Sequence, residues 1–363
     1  MSHTHISLVG GQPIPVYQGI IHSKPDWVVF VGSEQSIREA EAIQREISVE
    51  SEIYIIDPVD LAVIERKSKE LRYRLEGQHT SLNITSGTKP WAFYFVQAFG
   101  SDENCEIFYV DQNTLVRSFK DFTKHVVNLD ADVRFRLHGN PLDDYMHFEE
   151  FETDDFESIS RIREMRKFNY RDFNQLTKAF SENNEEVAFR INSGSRLTWN
   201  EADNSIDLML YNNRGEFKSD HFMSAHTELL FTNTGWFELE VAAMLSRWDK
   251  SRHVRLNCVF PTKANIPKNE IDIIVDTGTK LLFVECKTQI FSTTDIDKFA
   301  SAVKVYGGYG SKSLFVTDAV MRDNALEKCK DNRTLSFSIQ PDWKHAEKKL
   351  HELLDKELYN INL

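Results

Sequence analysis

The segment Leu82-Asn83-Ile84-Thr85-Ser86-Gly87-Thr88-Lys89-Pro90 contains the strand-to-helix transition that decides the amino-terminal fold. Its apolar start predicts a strand, and its small and hydroxylated residues predict a tight turn. Thr88 is suited to cap the following helix, with Pro90 in the first turn. Free backbone N–H groups at such a helix start can meet an anion, with the charge of Lys89 beside them. A well-capped turn without a ligand explains the same residues, so this motif alone leaves both interpretations open.

Around this segment, short β-branched and aromatic runs alternate with stretches of helical periodicity. We predict strands at 6–9, 27–31, 53–56, 82–85 and 107–110, and helices at 36–47, 59–75 and 90–99. Such alternation predicts an α/β fold with a parallel, doubly wound sheet. Ligands of these sheets bind beyond the carboxyl ends of the strands, where the loops meet.

The charges divide the chain into three parts. The 363 residues include 43 Lys and Arg against 56 Asp and Glu, a net charge of −13. Residues 143–157 contain eight acids and no Lys or Arg, whereas residues 158–363 hold 29 of each sign. We therefore predict a domain at 1–142, an acidic linker at 143–157 and a second domain at 158–363, with 158–230 as an accessory part. A solvated acidic loop within one domain is the alternative. A net charge of −13 argues against a nucleic-acid partner, but the balanced second half narrows this objection to an expectation of modest, salt-sensitive affinity.

Composition also bears on the compartment. No apolar run reaches the length of a membrane span, and we see no signal peptide at the amino terminus. The four cysteines are widely spaced, which disfavours disulfides and zinc sites and fits a reducing cytoplasm. Cys286 lies within a predicted strand, so we interpret it as a core residue rather than a nucleophile. We expect a cytoplasmic protein with no membrane partner.

The acidic residues that are candidates for catalysis or metal binding all follow Thr234 in the chain. A predicted helix begins at Gly235 and carries Glu238 and Glu240 on opposite sides of its apolar face. Asp272 interrupts an apolar strand, and a turn at 276–279 leads to a second strand that ends in Glu285-Cys286-Lys287. Residues two apart on a strand share a face, and the hairpin brings Asp272 towards Glu285.

Two carboxylates beside one lysine are suited to metal-assisted cleavage of a phosphodiester. Oxygen ligands favour Mg²⁺ or Mn²⁺ over zinc, and Lys287 could stabilise charge or orient water. A buried ion pair explains an isolated Glu–x–Lys equally well. The additional Asp272 and a helical glutamate favour a site, since buried acids must pair or bind metal.

The amino-terminal motifs resemble the CRISPR-associated Rossmann-fold (CARF) sensor family. These are the Gly10-Gly11-Gln12-Pro13-Ile14-Pro15 loop and the segments at 27–35, 83–89 and 108–111, although Ser86-Gly87 replaces the usual pair of glycines. The resemblance implies a homodimer that binds a cyclic oligoadenylate, most often cyclic tetra-adenylate, and a two-fold ring suits a two-fold dimer. The ligand-binding residues it implies are Gly11, Gln12, Pro13, Ile14, Ser33, Glu34, Gln35, Thr85, Ser86, Gly87, Thr88 and Lys89.

The carboxyl-terminal motifs, over residues 234–320, resemble the PD-(D/E)xK family of restriction-endonuclease-like folds. The resemblance assigns Glu238, Asp272, Glu285 and Lys287 as catalytic, the three acids also as metal ligands, and Ile271 replaces the usual proline. It favours Glu238 over Glu240, because the family's glutamate follows a Trp–apolar pair. Glu240 stays open as the alternative.

Together the two resemblances imply a CARF nuclease of type III CRISPR defence, with an amino-terminal Rossmann-like domain and a carboxyl-terminal α/β nuclease domain. Its expected function is metal-dependent cleavage of single-stranded DNA or RNA, with nicking of duplex DNA, after activation by cyclic tetra-adenylate. The alternative is a ligand-sensing regulator that binds nucleic acid without cutting it. A sensor that also degrades its ring has no obvious nucleophile in the sequence.

Overall fold

A computed structural model describes residues 2–361 except 112–113, 184–186, 267, 290–292 and 309. Within these residues no helix is both long and apolar enough to cross a membrane. The chain forms two compact units, of which the first contains residues 1–142 together with Gly278–Leu281 and Tyr306–Gly310. The second contains the remainder from Asp143 onward.

The first unit alternates strands and helices and ends in two antiparallel strands and a short helix. Its elements are β1 (His3–Leu8), α1 (Pro13–Ser23), β2 (Trp27–Gly32), α2 (Ile37–Glu46), β3 (Ser51–Ile55), α3 (Leu61–Arg74), β4 (His79–Asn83), α4 (Lys89–Phe99), β5 (Cys105–Val110), β6 (Leu115–Ser118), β7 (Lys124–Val126) and α5 (Ala131–Leu137).

The first unit is a Rossmann-like sheet of seven strands in the order β3-β2-β1-β4-β5-β6-β7. The five strands β1 to β5 are parallel, which confirms the predicted fold class. Separate apolar clusters cover each side of the sheet, one around Phe30 and Phe108, the other around Trp91 and Phe95. Burial on both faces explains why these strands are nearly continuously apolar.

Two helices of the first unit, α1 and α5, were not predicted from the sequence. Residues Pro13–Ser23 form α1, which starts directly after Gln12 with Pro13 in its first turn. Two prolines and two glycines at the start suggested a loop, but a proline in a first helical turn removes no intrahelical hydrogen bond. The predicted ligand loop is therefore shorter than the Gly10–Pro15 motif.

The second half of the chain contains two sheets and seven helices within its described residues. Its elements are β8 (Asp144–His147), α6 (Thr153–Phe168), α7 (Tyr170–Glu182), β9 (Ala188–Arg190), β10 (Arg196–Asn200), β11 (Ser205–Tyr211), β12 (Phe217–Met223), α8 (Thr227–Phe231), α9 (Gly235–Ser246), β13 (His253–Val259), β14 (Glu270–Asp276), β15 (Leu281–Lys287), α10 (Thr294–Tyr306), β16 (Lys312–Thr317), α11 (Asp323–Asp331), β17 (Leu335–Ser338) and α12 (Trp343–Tyr359).

The acidic stretch 143–157, which we expected to be a linker, is folded in the structure. Residues Asp144–His147 form edge strand β8, which pairs with β13, and α6 begins at Thr153. The reason is that aromatic residues are interspersed among the acids: Phe151 is buried in the core, and Phe148 and Phe156 pack against it. The acids of this stretch instead occupy exposed positions and the first turn of α6. Acids in the first turn stabilise the helix by interacting with its dipole.

The six-stranded sheet of the second unit has the order β17-β16-β15-β14-β13-β8. Strands β15, β16 and β17 are parallel, whereas β13 pairs antiparallel with both β14 and β8. Helix α9 is buried along almost its whole length and packs into the same core. The accessory region 158–230 contributes helices α6 and α7 and a separate antiparallel sheet, β12-β11-β10-β9.

Candidate active site and ligand-binding loops

The predicted ligand residues follow three strands that are neighbours in the sheet. Strands β2, β1 and β4 lie side by side and run in the same direction, so the loops after Gly32, Leu8 and Asn83 meet at one edge. Two of these loops touch, because the Gly10 N–H donates to Ser86 Oγ at 3.0 Å. The edge is therefore a continuous surface rather than three separate turns.

Close approach explains the glycine at position 87. Its φ is +78°, and a Cβ there would lie 2.9 Å from Trp91 and 3.0 Å from the Leu8 side chain. Any other residue would be strained there, and its Cβ would clash with the Trp91 ring and the Leu8 side chain.

The predicted ligand residues differ in what they offer to a ligand. Gly11, Gln12, Glu34, Gln35, Gly87 and Lys89 are exposed, Thr85, Ser86 and Thr88 are half-buried, and Pro13, Ile14 and Ser33 are buried. Several hydroxyls already serve the fold: Thr85 Oγ1 accepts the Val110 N–H at 2.7 Å, and Thr88 Oγ1 accepts the Trp91 N–H at 3.4 Å as the predicted helix cap. Direct ligand contact is thus best supported for the exposed side chains and for the backbone of the loops.

In the second unit, the hairpin β14–β15 brings Asp272, Glu285 and Lys287 together. Lys287 Nζ lies 2.8 Å from Glu285 Oε1 and 3.8 Å from Asp272 Oδ2. The backbone N–H of Cys286 donates to Asp272 Oδ2 at 2.7 Å, which fixes that carboxylate against the neighbouring strand. Both carboxylates are buried, Glu285 with only 2% of its surface exposed.

A second lysine, which the sequence did not indicate, completes this cluster. Lys268 Nζ lies 2.5 Å from Glu285 Oε2 and 3.4 Å from Asp272 Oδ1. Lys268 precedes β14 in an irregular segment, so no strand or helix period placed it near the acids. The sequence shows only that Lys268 lies four residues before Asp272. That spacing predicts a contact in a helix but not in an irregular segment.

The structure separates the two glutamates of α9. Glu238 is buried, and its pKa is raised first by burial and next by the charge of Asp272, so it belongs to the hairpin cluster. Glu240 is held by Arg163, whose Nη1 lies 2.5 Å from Oε1. Burial raises the pKa of Glu240 to about 7 although Arg163 opposes this. Burial and the influence of the Asp272 charge thus favour Glu238, in agreement with the family motif.

Electrostatics distinguish the roles open to the hairpin residues. Burial lowers the pKa of Lys287, but Asp272 and Glu285 outweigh it, so the pKa lies above its ordinary value and the ammonium stays charged. Burial raises the pKa of Glu285, and the charge of Asp272 adds to this. The Cys286 thiol is fully buried and its pKa is raised well above the ordinary value, first by burial. Cys286 is therefore a core residue and unsuited to act as a nucleophile.

The acids of this cluster offer the type of donor atom that hard divalent cations prefer. Glu238, Asp272 and Glu285 offer only carboxylate oxygens, which Mg²⁺ and Mn²⁺ prefer. Across the described residues, no three acidic, His or Cys side chains already form a metal-holding group. Lys268 and Lys287 pair with the two hairpin carboxylates instead.

Comparison with protein families identifies the first unit. Residues 4–132 match the model of the Card1 CARF domain, which spans the whole seven-stranded sheet. No curated protein matches the chain in sequence.

Three solved structures share the fold of most or all of the chain. The protein VC1899 from Vibrio cholerae is 13% identical with a TM-score of 0.74, and 97% of each chain is covered. Can2 from Sulfobacillus thermosulfidooxidans, solved with cyclic tetra-adenylate, is 19% identical with a TM-score of 0.71, covering 98% of this chain and 99% of Can2. A type III CRISPR defence DNA nuclease activated by cyclic oligoadenylate is 14% identical with a TM-score of 0.59, covering 96% of this chain and 52% of that one.

Proposed function

Since the amino-terminal domain of this chain is a CARF domain, we propose that the protein is a cyclic-oligoadenylate-activated nuclease of type III CRISPR defence. The observation that carries the proposal is the buried cluster of Asp272, Glu285 and Lys287, with Glu238 beside it. Two similar folds support the sensing half, because one was solved with cyclic tetra-adenylate and the other is described as activated by cyclic oligoadenylate. We propose cyclic tetra-adenylate as the activator and a cytoplasmic homodimer as the working form.

The proposed reaction is hydrolysis of a phosphodiester in single-stranded DNA or RNA, with nicking of duplex DNA. Glu238, Asp272 and Glu285 would hold Mn²⁺ or Mg²⁺, which supplies Lewis-acid polarisation of the phosphoryl oxygen and an activated water when bound. Lys287 remains charged and lies against Glu285, so it would stabilise negative charge that develops on the phosphate rather than act as a base. Asp272 is oriented by the Cys286 N–H, and this needs no side-chain reorganisation during the reaction.

We call the edge where the loops after β1, β2 and β4 meet the sensing edge. It would bind cyclic tetra-adenylate through the exposed side chains of Gln12, Glu34, Gln35 and Lys89 and through backbone N–H groups at the start of α4. In a two-fold dimer each protomer would present the same loops to half of the ring. Lys89 contributes positive charge beside the helix start, where a phosphate is favoured. Ring binding and nuclease activity would then be coupled as two linked equilibria.

The test is cleavage of a labelled single strand by the full chain in Mn²⁺, with and without cyclic tetra-adenylate. We expect cleavage only with the ring, and we expect Glu285→Gln to lower it by roughly 10²-fold or more. Ring-independent cleavage would overturn the switch. Binding of nucleic acid without any cleavage would instead indicate a ligand-sensing regulator.

A further inference from the structure

The second unit contains a cavity of about 670 Å³ outside the carboxylate cluster. Its floor includes Thr288, Asp318 and Gln340, which follow the last residues of the parallel strands β15, β16 and β17 closely or directly. Lys287 pairs with Thr317, and Thr317 pairs with Ser338, so these strand ends are level. The cavity therefore lies at the carboxyl edge of three parallel strands, where α/β sheets bind ligands.

The cavity adjoins the proposed catalytic cluster. Thr288 follows Lys287 directly in the chain, so their Cα atoms are about 3.8 Å apart. Neighbouring strands are spaced by about 4.8 Å, so the three strand ends span roughly 10 Å. A group bound there is about one nucleotide away from Lys287.

Two guanidinium–aromatic pairs form the walls. The Arg163 guanidinium lies 4.7 Å from the ring centre of Trp343, and that of Arg166 lies 4.5 Å from the ring centre of Tyr170. Tyr170 is 43% exposed, so part of its ring surface is open to a further planar group. Bases stack on such rings without regard to sequence, and a neighbouring guanidinium adds to the attraction.

Polar atoms on the cavity wall lack partners. Among the described residues, Asp318 Oδ1 and Arg166 Nε are buried without a hydrogen bond, although the two side chains form an ion pair through other atoms. Asp318 is only 4% exposed. Leaving a buried polar atom unpaired is costly, so a ligand that offers one donor and one acceptor would be favoured here.

We propose that this cavity binds the base and phosphate of a nucleotide next to the cleaved phosphodiester of a single strand. The proposal rests on the nuclease function proposed above and names the part of the chain that grips its substrate. Tyr170 stacks on the base, Arg166 Nε donates to a phosphate or base oxygen, and Asp318 Oδ1 accepts from an exocyclic amino group. Adenine, cytosine and guanine carry such a group, whereas thymine and uracil do not. A base inside a duplex cannot reach this position without leaving its stack.

The experiment compares Tyr170→Ala with Tyr170→Phe, which keeps the ring. Phe217→Ala, an exposed aromatic outside the cavity, is the matched control. Affinity for a fluorescent single-stranded DNA is measured by anisotropy in the presence of cyclic tetra-adenylate. All variants also carry Glu285→Gln, so that the DNA is not cleaved during the measurement. A matched RNA strand is the second arm. We expect Tyr170→Ala to weaken binding roughly tenfold, and we expect Tyr170→Phe and Phe217→Ala to bind as the parent does.

Specificity is a second readout that a purely structural role would not change. Cleavage positions are mapped on a mixed-sequence strand for the otherwise unmodified chain and for Asp318→Asn. We expect cuts beside amino-bearing bases in the former and a loss of that bias in the latter, because an amide can also donate to the carbonyl oxygens of thymine and uracil. Unchanged binding by Tyr170→Ala together with an unchanged cleavage map for Asp318→Asn would overturn the cavity proposal. Absence of all cleavage by the unmodified chain would overturn the nuclease function, while the binding assay would still test the cavity.

Discussion

The Lys268 ammonium lies 2.5 Å from Glu285 Oε2, and it also reaches the carboxylate of Asp272. The burial of Lys268 disfavours its charge, but the two carboxylates outweigh this and raise its pKa. The lysine therefore stays protonated and occupies the electrostatic position that a divalent cation would take between the same acids. Metal binding and this ion pair compete for the same oxygens.

From this competition we predict that Lys268→Ala lowers the metal concentration needed for half-maximal cleavage. Removing one positive charge leaves Asp272 and Glu285 with fewer partners, so a cation is held more tightly. The shift is expected to be roughly three- to tenfold and is measured by titrating Mn²⁺ into the ring-activated enzyme. The matched control is Lys312→Ala, which removes an exposed lysine at the start of strand β16. A higher metal requirement would show that Lys268 assists the site instead.

A second prediction separates the two glutamates of α9. Glu238→Gln should lower cleavage by roughly 10²-fold or more, because Glu238 is buried and the charge of Asp272 acts on it. Glu240→Gln removes charge from a carboxylate that pairs with Arg163, so its effect on the turnover number should stay within about threefold. Steady-state cleavage rates at saturating substrate give this comparison. Equal losses in both variants would contradict the assignment of Glu238.

The third prediction concerns the sensing edge. Lys89 is exposed beside the start of α4, and Lys89→Ala should raise the concentration of cyclic tetra-adenylate needed for activation by roughly tenfold. The maximal rate at saturating ring should change little, because Lys89 is outside the second unit. An activation curve measures both quantities. Lys69→Ala, an exposed lysine on α3, is the control, and a drop in maximal rate for Lys89→Ala would speak against a role in ring binding alone.

The fourth prediction is a pH dependence of the first unit. His5 is fully buried between Ser81 and Ser7, and burial lowers its pKa to about 3 from 6.5, with nearby His3 and His22 adding to the effect. The unfolded chain therefore binds a proton between pH 6.5 and 3 that the folded chain does not. Stability from this group is present above pH 6.5 and is lost as the pH falls towards 3.

Replacing His5 should flatten this acid dependence. For His5→Gln, the loss of unfolding free energy between pH 6.5 and 3 should be smaller than in the parent, by up to roughly 5 kcal/mol. Urea unfolding at several pH values provides the slopes, and His253→Gln in the exposed second-unit strand end is the control. An unchanged slope would mean that another group governs acid unfolding.

The sequence by itself determined the elements whose local signals agree with their burial. Strand β2 begins and hairpin strand β15 ends at the residue predicted, because a strand buried on both faces needs a continuous apolar run. The turn before α4 was equally readable, since Thr88 caps the helix with its own hydroxyl. Asp272, Glu285 and Lys287 could be grouped because a hairpin fixes their neighbourhood within a short stretch of chain.

Only the tertiary structure decided relationships between residues far apart in the chain or without a regular period. Lys268 reaches Glu285 from an irregular segment, and Glu240 turns to Arg163, 77 residues away, instead of to the hairpin. The acidic stretch forms a strand and a helix because its aromatic residues pack into the core of the second unit. Local composition does not reveal that contact. Charge counts and periodicity describe one segment at a time, whereas ion pairs and burial depend on which segments the fold brings into contact.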